Sequence, residues 1–403
     1  MDWAHEGDRL WSKLKPEMWE QTRNPWLMLQ SSSRDELEQL AASPAFQQEL
    51  KELVAARNEY LNRPSWFKET YPEGTLSPVA FFSMEFGLGE ALPMYAGGLG
   101  VLSGDYFKTA SDLQVPMVGV GILYQEGYFR QMLDNQGWQI EAFPYYDPTN
   151  LPIRPVIGNS GGRLRVPLEL PGRRLWVRAW EIRIGHITLY LLDTNDPLNS
   201  PADRGITNQL YDSRPLIRLM QEMVLGIGGW RVLHAVGIHP EVCHLNEGHA
   251  AFVVLERACE FMEQKSTSFP VALAMARAGN IFTTHTPVAA GFDTFSPDDI
   301  AHYLHDFLQL SQISLEQMLA LGRENPANDK EPFNMAYLAM RGSIRTNGVS
   351  WLHGKVSRRI FHCLYPRWPE HEVPVSHITN GVHVPSWDSA QADELWTRIG
   401  GKG

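Results

Sequence analysis

The sequence predicts an α/β protein: a largely parallel sheet, an antiparallel β insertion and an N-terminal helical arm. Three observations carry that prediction. From Ser77 onward, short apolar runs that stop at Gly, Asn or His alternate with longer amphipathic stretches, the texture of βα units. Between them lies a stretch in which apolar and polar residues strictly alternate. Ahead of both, the first 68 residues repeat at helical spacing.

Taken in order, the arm opens the chain at 1–68. Ser33 and Glu36 stand at capping-box spacing, followed by Phe46, Leu50, Leu53, Val54 and Leu61 on one helical stripe. Several of the 13 tryptophans fall in the arm and its flanks, which predicts that it packs against something large. Residues 69–403 read as one α/β domain. Its predicted parallel strands are Val79–Ser83, Val115–Tyr124, Glu241–Leu245 and Asn280–Thr284. In the insertion, Leu164, Val166, Leu168 and Leu170 alternate with other residues before Pro171-Gly172 turns the chain into Leu175, Val177 and Ala179. Ile187–Leu192 completes that antiparallel meander. Leu216, Leu219, Met220, Met223, Val224 and Ile227 mark an amphipathic helix. The tail, TRIGGKG, reads as a flexible end or a cut linker.

Composition narrows the function. Hydrophobic residues make up 43% and charged residues 20%, a globular balance that argues against disorder. Lys plus Arg total 35 against 46 Asp plus Glu, a formal net charge of -11, so nucleic acid and anionic membrane surfaces are poor partners. Any anionic ligand must be held locally. Cys243, Cys259 and Cys363, an odd and irregular set, point to a reducing compartment. With no signal-like opening and no long uncharged apolar run, the expected location is cytoplasmic.

Four short segments could carry chemistry. In Tyr95-Ala96-Gly97-Gly98-Leu99-Gly100, glycines open the backbone ahead of a predicted helix, whose first N–H groups form a natural phosphate site. Taken alone it is more often plain turn chemistry, and its spacing is not the dinucleotide fingerprint. In Cys243-His244-Leu245-Asn246-Glu247-Gly248-His249, a strand runs into a helix, placing Asn246, Glu247 and His249 at a carboxyl-end rim. The bland reading is helix capping. Zinc is disfavoured, since the spacing of His234, His239, Cys243, His244 and His249 matches no ligand pattern; no metal is expected. Phe282-Thr283-Thr284-His285-Thr286-Pro287 ends a strand at a histidine, with Pro287 holding Thr286 out of the helical region. Ser83-Met84-Glu85-Phe86-Gly87 has the same form, with a carboxylate at its end. Each motif is weak alone. Their convergence on one crevice would make a site.

Together and in this order the segments resemble the α-glucan phosphorylases, the glycogen and maltodextrin phosphorylase family. SMEFGLGEALPMYAGGLGVLSGDYFKTASDL, HLNEGHAAF, FTTHTPVAAGFDTF, FNMAYLAMRGSIRTNGVSWLHGKVS and HITNGVHVPSW are similar to five of that family's blocks, from about Ser77 to Trp387. The resemblance implies the Rossmann-like N-terminal domain of a glycosyltransferase-B fold. It also implies reversible phosphorolysis of terminal α-1,4-linked glucose by orthophosphate, giving glucose 1-phosphate with retained configuration. In such enzymes the phosphate of pyridoxal phosphate takes part in proton transfer with the substrate phosphate, and dimers are usual. Carried over by position, Gly97, Gly98 and Leu99 would offer N–H groups to phosphates. His285 would be the catalytic residue, offering its carbonyl near the anomeric carbon and its ring to the 6-hydroxyl. Glu85, Asn246, Glu247 and His249 would line the glucan path or support the site.

Two substitutions and one absence depart from the pattern. Glu247 stands where many relatives have Asp, and Gly87 where animal relatives have Tyr. None of the nine lysines, Lys355 and Lys402 included, lies in a segment like the family's cofactor-bearing one. The cofactor domain is therefore expected to lie outside this chain, which alone should bind no pyridoxal phosphate and be inactive. Two other readings stay open. One is a nucleotide-sugar glycosyltransferase of the starch-synthase type, in which Tyr95 would replace a loop lysine. The other is a non-catalytic glucan-binding half.

Overall fold

The computed structural model describes residues 7–72, 76–127 and 129–401, apart from the side chain of Ala390. A ten-stranded sheet organises the molecule. Its principal strands are β1 (Val79–Phe82), β2 (Met117–Ile122), β3 (Arg165–Leu170), β4 (Arg173–Ile184), β5 (Ile187–Asp193), β6 (Val242–Asn246), β7 (Asn280–Thr284), β8 (Arg345–Gly348) and β9 (Val375–His377). Seven are mutually parallel in the order β9-β8-β7-β6-β1-β2-β5. All six residues of β2 are buried, which is why it reads as an unbroken apolar run.

The predicted meander takes a different place from the one expected. β5 pairs antiparallel with β4 on one side but parallel with β2 on the other, so the meander is the margin of the same sheet. β3 and the short strand Arg154–Pro155 both pair with β4 beyond it. Alternation along β3, buried at Val166, Leu168 and Leu170, could not reveal which neighbour β5 would find.

Helix α1 (Gly98–Asp112) follows the glycine-rich loop as expected. The amphipathic stretch becomes α2 (Pro215–Met223), which continues through a π-helical turn at Val224–Gly228 into α3 (Gly229–Ala235). Beyond His249 the expected helix start is delayed: a 3-10 turn, Gly248–Ala250, precedes α4 (Val253–Lys265). The tail is not wholly flexible, because Ala390–Gly400 is helical up to Gly401, while Lys402 and Gly403 lie outside the described residues.

In the arm, the capping box is formed: Ser33 caps Glu36 N–H and the Glu36 carboxylate accepts from Ser33 N–H. The long arm helix, Pro44–Asn62, buries no residue, whereas Trp19 and Met28 in the arm helices before it are buried. It is tied down by Tyr60, whose hydroxyl bonds Ser111 at 2.7 Å and Asp112 at 2.8 Å at the end of α1. Residues 1–6 of the predicted arm lie outside the described residues.

Helix α1 is seated by close backbone approach. It packs on the hairpin formed by Phe86–Gly89 and Leu92–Met94, and a Cβ at Gly104 would stand 1.8 Å from the Gly87 carbonyl oxygen. Gly98, at the open end of the helix, has nothing within 4 Å of that position. Gly104→Ala should therefore lower the unfolding free energy by about 3 kcal/mol, read as a denaturant midpoint, whereas Gly98→Ala should leave it nearly unchanged. Equal midpoints for the two variants would show that the helix is not seated on the hairpin.

Candidate functional site

Strand order decides where the rim residues meet. Chain order reverses between β1 and β6, which are direct neighbours: β2 and β5 lie to one side, β7 to β9 to the other. A reversal of this kind opens a crevice at the carboxyl ends of the strands. The loop after β1 carries Glu85, that after β6 carries Glu247 and His249, and that after β7 carries His285. The start of α1 brings Leu99. Leu99, Glu247, His249 and His285 line one cavity of about 610 Å³.

Asn246, the last residue of β6, sets the tautomer of His285. The Ser83 hydroxyl donates to the Glu85 carbonyl at 2.9 Å, and the Ser103 hydroxyl to the Leu99 carbonyl at 2.9 Å. With those hydrogens committed, both hydroxyl oxygens accept from Asn246 Nδ2, at 3.1 and 3.0 Å. The Asn246 Oδ1 must then accept, and His285 Nε2 donates to it at 2.7 Å. Burial pushes the His285 ring down to about 4, so it is neutral with a bare Nδ1. Only Nδ1 remains for a ligand.

Glu247 clamps the same loop. Its Oε2 accepts from His285 N–H at 2.7 Å, Thr286 N–H at 3.0 Å and the Thr286 hydroxyl at 3.0 Å, while Oε1 accepts from Gly248 N–H at 2.8 Å. Burial raises its pKa above the ordinary value, against the opposing pull of those hydrogen bonds. Four donors surround the group, an arrangement that favours its carboxylate form. In a trans peptide the carbonyl points opposite to the following N–H, so the His285 carbonyl faces away from Glu247. Glu247 itself has φ 79° and ψ 165°, a region that only glycine enters freely.

Glu85 lies beneath the glycine-rich loop. Its Oε2 accepts from Ala96 N–H at 2.7 Å and Gly97 N–H at 3.1 Å, and its Oε1 from the Tyr211 hydroxyl. This corrects the expectation for Gly97, whose N–H is already spent on a carboxylate of the chain. The N–H groups of Gly98 and Leu99 make no hydrogen bond to a described residue.

Residues 238–400 match the family model described as Carbohydrate phosphorylase, and residues 1–92 match one described as Protein of unknown function (DUF3417). A maltodextrin phosphorylase of Thermococcus litoralis is 40% identical over 401 residues, covering 99% of this chain and 47% of its own length. Glycogen phosphorylases of Mycobacterium tuberculosis (38% over 416 residues, 99% of this chain and 47% of their own) and Aquifex aeolicus (31% over 395 residues, 98% and 56%) follow the same pattern. Residues 238–400 are a domain of the carbohydrate phosphorylase family. It spans about half the length of the curated relatives it matches.

The chain also places residues in the cavity that the sequence did not single out: Tyr211, Arg218 and Asp293. Arg218 donates to Asp293 at 2.7 Å and its guanidinium lies 4.6 Å from the Tyr211 ring centroid. Glu222 approaches Arg218 to 3.2 Å without hydrogen-bond geometry, and burial, reinforced by Asp293, raises its pKa well above the ordinary value. Arg218 thus serves Asp293, while burial favours the neutral form of Glu222. Burial would raise Asp293, but Arg218 outweighs it and holds that carboxyl low. Arg218 and Glu222 at i, i+4 were visible in the sequence, yet such a pair reads equally as a solvated helix face. His249 Nε2 is buried with no partner. Among the described residues no group of three His, Cys, Asp or Glu side chains is arranged to hold a metal.

Two tests follow from this site. Because Glu247 occupies a glycine-like backbone conformation, Glu247→Gly should be more stable than Glu247→Ala by about 1–2 kcal/mol, the reverse of the usual order; chemical denaturation of both variants reads it. Burial also lowers His249 to about 3 and His244 to about 4. An unfolded chain takes up protons on these rings below about pH 6.5 while the folded one does not, so stability is present above that pH and lost as pH falls towards 4. Each ring should cost about 2 kcal/mol at pH 5. His249→Asn should flatten the fall in unfolding free energy between pH 7 and pH 5, and a parallel profile would refute the assignment.

Proposed function

We propose that this chain forms the glucan- and phosphate-binding wall of an α-glucan phosphorylase, one Rossmann-like lobe of a glycosyltransferase-B enzyme facing a second domain across a cleft. The reaction is phosphorolysis of terminal α-1,4-linked glucose by orthophosphate. The observation that carries this reading is the meeting of Leu99, Glu247, His249 and His285 on one cavity.

Each group has a task that its geometry suits. Gly98 and Leu99 offer free N–H groups and the positive end of the α1 dipole to a phosphate. The His285 carbonyl, held outward by Glu247, is a fixed dipole for a positively charged sugar in the transition state. His249 Nε2, Asp293 and Arg218 present planar polar groups to sugar hydroxyls. Glu85, Asn246 and Glu247 hold the loops and are spent on them, so no proton is routed through these three.

The phosphorylase family in general implies pyridoxal phosphate, which supplies a phosphate group for proton exchange with the substrate phosphate. The residues present fit its phosphate at Gly98 and Leu99. No lysine lines the cavity, so the cofactor's covalent attachment falls to the second domain.

Calorimetry of the chain with maltoheptaose tests the reading. Binding is expected with a dissociation constant on the order of 1 mM, weakened about tenfold by His249→Asn or Asp293→Asn. A folded chain that takes up no maltoheptaose, or takes it up equally in both variants, would sink it.

A further inference from the structure

Tyr95 and Ala96, which lead into the glycine-rich loop, line a second cavity of about 540 Å³. The arm helix Pro25–Gln30 forms one wall and the stretch from Tyr145 to Leu151 another. Two amide side chains of the arm fasten these walls: Asn24 Nδ2 donates to the Glu90 carbonyl at 3.1 Å, and Gln30 Nε2 to the Asn150 carbonyl at 3.2 Å. No lining residue is shared with the cavity at the strand ends. The two are separate.

Aromatic rings dominate the lining: Trp26, Tyr95, Phe129, Tyr145 and Tyr146. Tyr145 is 61% exposed, so packing of the fold does not account for its ring. Among the described residues, the hydroxyls of Tyr95, Tyr145 and Tyr146 and the side chains of Arg130 and Asn150 find no hydrogen-bond partner. Trp26 adds a further donor, its Nε1 buried without a partner. The charged groups on the wall are one cation, Arg130, and two carboxylates, Glu90 and Asp147, so an anion gains nothing by entering. A neutral ligand that uses both ring faces and unspent polar groups is a sugar. Its C–H faces lie on aromatic rings while its hydroxyls pair with phenols and amides. The volume suits a short oligosaccharide.

We propose that this cavity holds a short stretch of α-1,4-glucan, with the arm as its carbohydrate-binding wall. That the ligand is a sugar follows from the cavity; that the sugar is an α-glucan rests on the functional reading above. Asn24, Trp26, Gln30 and Glu90 fall within the residues matched by the model of unknown function, which gives that region a task. A polymer held here stays at raised effective concentration beside the strand-end cavity.

Hydrogen exchange of the 403-residue chain, read segment by segment with and without maltoheptaose, tests this. Amides at 26–30 and 146–151 should be protected. Sorbitol, which has hydroxyls but no ring to stack, should protect neither segment. Tyr145→Ala and Asn150→Ala should each raise the maltoheptaose concentration needed for protection about tenfold. Both side chains are exposed and unpaired, so the unfolding midpoints should not move. Trp138→Ala, an exposed aromatic on the neighbouring hairpin Arg130–Ala142 that does not line the cavity, should behave like the parent. Protection at 285–286 that His249→Asn weakens reports the strand-end cavity, so either site can fail without the other. No protection at 26–30 and 146–151, equal protection by sorbitol, or protection untouched by both substitutions would overturn the proposal.

Discussion

Asn246 and Glu247 sit side by side at the end of one strand, and their side chains join three loops into a single surface. Asn246 reaches back to Ser83 and Ser103 and forward to His285. Glu247 accepts from three donors of the next strand's loop, the His285 and Thr286 N–H groups and the Thr286 hydroxyl, and from Gly248 N–H in its own. Hydrogen bonds to a charged acceptor contribute about 1.5–3 kcal/mol each, which offsets a backbone strain of about 1–3 kcal/mol at Glu247. Without this clamp the His285 carbonyl and ring would have no fixed direction.

The clamp works only because its anchors are rigid. Ser103 lies inside α1, and α1 is pressed onto the Phe86–Gly89 hairpin so closely that Gly104 has no room for a side chain. Glu85, between β1 and that hairpin, then satisfies the N–H groups of Ala96 and Gly97. The loop therefore reaches the cavity with its remaining donors already oriented, at Gly98 and Leu99. Preorganisation of this kind lowers the cost of ordering a ligand.

Burial shapes the electrostatics of the rim. His244, His249 and His285 are held neutral by desolvation, which suits them to exchange hydrogen bonds with uncharged hydroxyls at neutral pH. Arg218 and Asp293 form an ion pair there, and burial favours the neutral form of Glu222 behind them. The long helix of the arm contributes little to the core, since it buries no residue.

The strands β1, β2, β6 and β7, the helix after the glycine-rich loop and the capping box at Ser33 were legible in the sequence, because each is set by local periodicity or by a cap within four residues. The rim residues Glu85, Asn246, Glu247, His249 and His285 were legible too, as polar endings of apolar runs. What tertiary structure alone decided was their company. That β6 lies beside β1, that β5 joins the parallel strands, that Gly97 spends its N–H on Glu85, and that Arg218 meets Asp293 all depend on contacts between segments 12 to 163 residues apart. Local patterns fix which way a side chain can point; only the packed sheet fixes what it meets there.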